Sequence, residues 1–75
     1  MPGRQGRKPD QALAKALRQL REERGITREH LAYEAKLTTS SLARIELGQA
    51  DPRWTTVVDI ARALGVHISD IAKKV

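Results

Sequence analysis

An all-α domain of five short helices is the fold that this 75-residue sequence predicts, on three observations. Apolar residues recur three and four positions apart. Asp, Thr and Gly stand where helices start and stop. Alternating apolar and polar runs that would mark strands are missing.

The elements follow in order. Residues 1–9 combine Pro2, Gly3, Gly6 and Pro9 with Arg4, Arg7 and Lys8, and read as a disordered basic arm; residues 10–75 form the folded domain. Asp10 is suited to cap a first helix whose Leu13, Leu17 and Leu20 share one face, and Gly25 ends it. Thr27 opens a second helix that buries Leu31, Ala32 and Ala35 and ends near Lys36. Thr38 caps a third, with Leu42 and Ile45 inward and Gly48 closing it. Asp51-Pro52 marks a turn and the start of a fourth, whose buried face is Trp54, Val57, Ile60, Ala61 and Leu64 before Gly65. A fifth runs from Ile68 to about Lys74, with Ile68 and Ile71 partly buried and Val75 outward, so this end completes the core or forms a dimer patch.

Bulk properties narrow the function. A chain of this length supports one domain with a small core. With no cysteine, neither a disulfide framework nor a thiolate zinc site reinforces it, which fits a reducing cytoplasm. No apolar run reaches the ~20 residues of a membrane helix, and no h-region follows the basic start. Fourteen Lys and Arg against nine Asp and Glu leave +5, with a pI near 10.3, which favours a polyanionic partner. One Tyr, one Trp and no Phe supply too few rings to stack unpaired bases, so double-stranded DNA is the better candidate.

The second and third helices carry the functional signal. Lys36-Leu37-Thr38 joins them tightly, as a helix-turn-helix requires, so the third helix can project into a major groove. Its outward face is Thr39, Ser40, Ala43 and Arg44: two short hydroxyls, a methyl and one forked donor. No acidic residue falls between Thr38 and Ile45, as a surface facing phosphates demands.

The run Leu17-Arg18-Gln19-Leu20-Arg21-Glu22-Glu23-Arg24-Gly25-Ile26-Thr27 resembles the opening of the phage-repressor/Cro-like family, often called XRE. So do Glu29-His30-Leu31-Ala32 with Ala35, Thr38 through Gly48, Asp51-Pro52, and Ile60 through Val66. The resemblance covers roughly residues 11–75. It implies a compact lambda-repressor-like DNA-binding domain, usually dimeric on DNA, with the third helix as reader. It also implies base contacts from Thr39, Ser40 and Arg44, and backbone contacts from Arg28, Thr38, Ser41, Gln49 and Arg53. Arg28 opens the second helix, where a phosphate commonly meets a helix N-terminus. Arg21 and Glu46 match a buried, structural pair. Three positions depart from the family pattern: Lys36 stands for the usual turn glycine, Leu47 for a polar residue after the glutamate, and His67 for a serine cap.

Competing readings of single residues are bland. His30 and Glu34 make two candidate ligands without a third, so both histidines read as surface residues. The serines and threonines lack a His–Asp set to activate them, and no catalytic residue, metal or cofactor is expected. Trp54 reads as core with its ring partly exposed. The arm Arg4-Gln5-Gly6-Arg7-Lys8-Pro9 faintly resembles hooks that lie in A·T minor grooves. The expectation is a cytoplasmic transcriptional regulator, a repressor or autoregulator acting as a homodimer, with no membrane partner and no small-molecule substrate. Small stand-alone regulators are the nearest analogues, among them restriction-modification controller proteins, phage Cro-like proteins and antitoxin-type regulators. A protein-interaction adaptor with the same fold is the alternative.

Overall fold

A computed structural model describes residues 9–75 as five helices. They are α1 (Gln11–Glu23), α2 (Arg28–Glu34), α3 (Thr39–Glu46), α4 (Trp54–Leu64) and α5 (Ile68–Lys74). The expected basic arm and its minor-groove hook lie almost wholly outside the described residues.

Local chemistry explains most boundaries. The Asp10 carboxylate accepts from the Ala12 and Leu13 N–H groups at 2.9 and 3.1 Å, satisfying free donors at the start of α1. Thr27 and Thr38 do the same through their hydroxyls, accepting from His30 and Ser41 at 3.1 and 3.0 Å. At the start of α5, His67 supplies no side-chain cap. Asp70 instead reaches back and accepts from the His67 N–H at 3.0 Å, so the helix starts at Ile68 as expected despite the missing serine.

Leu17, Leu31, Leu42 and Ile60 are fully buried at the centre, joined by Leu20, Ile45, Val57, Leu64 and Ile71. Each of α1 to α5 contributes, and α1 packs on both α3 and α5. This packing fixes α3. Two α1 side chains meet carbonyls at its end and just beyond: Arg18 Nη1 donates to Glu46 O at 2.9 Å, and Gln11 Nε2 to Gly48 O at 2.9 Å. Gly48 has a φ of +73°, a backbone conformation that favours glycine, and a Cβ there would displace the Gln11 amide from its place beside the turn.

One expectation about burial fails. Trp54 is 66% exposed rather than part of the core. The fourth helix does not start at Asp51-Pro52; it starts at Trp54 itself, with Arg53 as N-cap. The Asp51 carboxylate is engaged elsewhere, accepting from the Asp10 N–H at 2.8 Å. Trp54 therefore sits in the first turn, at the rim of the bundle, three residues before the buried Val57.

In the turn between α2 and α3, Lys36 stands in the place of the usual glycine and takes the backbone conformation that favours one. Lys36 is the only non-glycine residue among those described with positive φ, at 62°. Leu37 N–H bonds back to Ala32 O at 2.8 Å across it. A side chain in this region costs about 1 kcal/mol, so Lys36→Gly is expected to stabilise by about that amount in chemical or thermal melts. A destabilised glycine variant would mean that the lysine side chain contributes contacts worth more than its backbone strain.

Candidate nucleic-acid interface

The α2–turn–α3 unit presents α3 edge-on to solvent. Leu42 and Ile45 hold it in the core, while Thr39, Ser40 and Arg44 are all exposed and Ala43 is partly so. Among the described residues, Arg44 belongs to no ion pair, so its guanidinium is uncommitted. Ser40 lies one helical turn before Arg44 on the same face, and Thr39 borders it on the exposed side of the helix.

The residues assigned to phosphate contact surround that face in different ways. Thr38 Oγ1 accepts from the Ser41 N–H and donates to Ser41 Oγ at 2.9 Å. Its hydroxyl is thus spent on the helix start, whereas the Ser41 hydroxyl proton remains available. Gln49 is exposed in the loop after α3, its N–H bonded to Arg44 O at 2.8 Å. Arg53 is exposed at the start of α4. Ser41, Arg44 and Arg53 line one open depression between α3 and that loop, together with Leu37, Ile45, Asp51 and Pro52.

Behind this surface lies a charge cluster. Glu46 is fully buried and is the only buried charged residue among those described. Arg21 grips it with two bonds, Nε to Oε2 at 2.8 Å and Nη2 to Oε1 at 3.1 Å, and its Nη1 donates to Ile26 O at 3.0 Å. The expected pair is present. The hydrogen bond to Glu46, opposed by partial burial, raises the Arg21 pKa above the ordinary arginine value, so this cation is permanent. Sequence reasoning missed the third member. Arg28 Nε also donates to Glu46 Oε1, at 3.1 Å, with its side chain 32% exposed. No buried side-chain polar atom among the described residues is left unpartnered. The predicted phosphate contact Arg28 is thus half inside the structural network, a fact that spacing alone could not reveal.

His30 and His67 are both exposed, in line with surface roles. A second surface feature is apolar. Leu13, Val57, Ile68 and Ile71 form a groove between α1, α4 and α5, rimmed by Trp54 and by Val75, which is 54% exposed. None of the α3 residues named above lines it. No helix among the described residues is long and apolar enough to cross a membrane.

Comparison with known proteins decides the family. The helix-turn-helix domain model matches residues 12–73. The chain belongs to the helix-turn-helix domain family. It is 38% identical over 55 residues to the immunity repressor protein of Bacillus phage phi105, across 73% of this chain and 38% of that protein. Its fold superposes on the clp gene regulator ClgR from Corynebacterium glutamicum with a TM-score of 0.83 and 26% identity, covering 85% of this chain and 83% of that one. The restriction-modification controller protein C.AhdI from Aeromonas hydrophila gives a TM-score of 0.79 at 26% identity, covering 81% and 92%. The resemblance to phage-repressor-like regulators is therefore borne out, as is the compact five-helix lambda-repressor-like fold. The fold is the helix-turn-helix domain that these transcriptional regulators carry. The chain spans about half the length, or less, of the curated relatives it matches.

Proposed function

We propose that this protein is a sequence-specific transcriptional regulator, a cytoplasmic repressor or autoregulator that binds double-stranded DNA as a homodimer. The observation that carries the reading is the outward face of α3, where exposed Thr39 and Ser40 precede an uncommitted Arg44 and no carboxylate intervenes. Arg44 has the forked donors to meet a guanine O6 and N7 together, and the hydroxyls suit either base edges or phosphates. Ser41, Gln49 and Arg53 border that face and take the flanking phosphates, with Arg28 adding a contact from α2. Thr38 contributes through its position at the helix start, since its hydroxyl proton is already donated to Ser41.

Two arguments favour a dimer. One module reads only a few base pairs, so useful specificity needs two half-sites. The groove rimmed by Trp54 and Val75 also offers an apolar surface for a second copy, on elements that leave α3 free. Selection from random duplex DNA is expected to yield an inverted repeat with half-site centres roughly 34 Å apart, and footprinting to protect both halves. Protection of one isolated half-site by a monomer would overturn the dimeric reading. A protein without salt-dependent affinity for any duplex would leave the adaptor alternative in the lead.

A further inference from the structure

Glu46 touches no surface, yet it holds a residue that does. Its two oxygens offer about four acceptor sites, and Arg21 already fills two with a paired grip. Neutralising a buried carboxylate needs no second arginine. Arg28 nevertheless turns its Nε inward onto Glu46 Oε1 at 3.1 Å while its side chain stays 32% exposed. A guanidinium is planar, so fixing the Nε–H on one edge fixes the direction of the Nη1–Nη2 edge. Among the described residues that outer edge has no hydrogen-bond partner. The same carboxylate belongs to the last residue of α3, the helix with the proposed reading face, so Arg28 and Thr39, Ser40 and Arg44 are referenced to one rigid element.

We propose that Glu46 is a positioning residue for DNA binding: through its bond to Arg28 Nε it aims the free edge of that guanidinium at a phosphate flanking the base pairs read by α3. The inference rests on the reading that Arg28 meets a phosphate. It makes Arg28 a fork held in one orientation, not a mobile point charge. The cost of ordering a long side chain is met on folding rather than on binding. The consequence runs against simple electrostatics. Removing the Glu46 charge makes the chain more positive, which by itself strengthens attraction to DNA; loss of positioning weakens it.

The test titrates the wild-type chain and its variants against a duplex selected from random DNA, at several salt concentrations, with melting curves to monitor the fold. Arg28→Ala is expected to weaken binding and reduce the slope of log affinity against log salt by about one. Arg28→Lys keeps the charge and leaves Arg21 on Glu46, yet is expected to lose nearly as much of the slope as alanine does. An ammonium cannot bridge carboxylate and phosphate with fixed geometry. Glu46→Gln, where it melts as a folded protein, is expected to bind more weakly than wild type and to have no further effect in an Arg28→Ala background.

Wild-type affinity and slope for Arg28→Lys would overturn the inference, since a point charge would then suffice. So would a folded Glu46→Gln that bound as tightly as wild type or more so. If Glu46→Gln does not fold, Arg28→Lys alone decides. An unchanged slope for Arg28→Ala would instead remove the phosphate contact itself, separating failure of the underlying reading from failure of the positioning.

Discussion

Glu46→Ala is expected to leave this domain largely unfolded at room temperature. The alanine would remove the acceptor of three N–H donors, two from Arg21 and one from Arg28. Arg28 can turn outward into water. Arg21 cannot do so as freely, with only 12% of its side chain exposed and a third bond anchoring it to Ile26 O. Stranding one member of a buried pair typically costs about 3–5 kcal/mol. A small domain has roughly 5 kcal/mol in total, so the variant sits near its midpoint without denaturant. Arg21→Ala is expected to be milder, because Arg28 still faces the carboxylate. Replacing Arg21 and Glu46 together by apolar residues of similar volume should recover much of the loss, since no unpaired charge then remains. Circular dichroism melts of the three variants measure this directly. A Glu46→Ala protein that melted close to wild type would mean that the carboxylate is hydrated in solution, and the cluster would lose its structural role.

The contrast between what the sequence reveals here and what it hides has a physical basis. Asp10, Thr27 and Thr38 were legible as caps because capping involves donors two or three residues away in the same chain segment. Periodicity likewise identified Leu17, Leu31, Leu42 and Ile60 as core. Trp54 was misplaced because it stands three residues before Val57, a spacing that a buried stripe and a protruding first turn share. Which applies depends on where α4 begins, and there Arg53 is the N-cap while Asp51 is engaged with the Asp10 N–H 41 residues away. The roles of Gln11, Arg18 and Arg28 are similarly long-range: each meets a group at the end of α3 or just beyond it, from a different helix. Arg18 did leave a trace, standing one turn before Arg21 on the same face of α1. The residue types on the outward face of α3, the proposed reading face, were legible, because α3 is short and its inward positions are unambiguous. Their order of importance for DNA was not.

Arg44→Ala is expected to cost about 1–3 kcal/mol on the cognate duplex and to relax preference at one base pair in each half-site. Among Thr39, Ser40 and Arg44, only the arginine has both the length and the paired donors for bidentate contact with guanine, and no ion pair among the described residues holds it back. Arg53 supplies the control. It is exposed at the start of α4, across the depression from Arg44, where phosphates are the nearer anions. Arg53→Ala should therefore weaken cognate and scrambled duplexes alike and lower the salt slope by about one, leaving the sequence preference intact. Arg44→Ala should do the reverse, narrowing the gap between cognate and scrambled duplexes. Equilibrium titrations of both variants on both duplexes, at several salt concentrations, separate the two patterns. If Arg44→Ala lost affinity uniformly, Arg44 would be another phosphate clamp, and discrimination would fall to Thr39, Ser40 or the shape of the DNA. If neither variant changed binding, α3 would not be the reading element, and the adaptor alternative would explain the fold better.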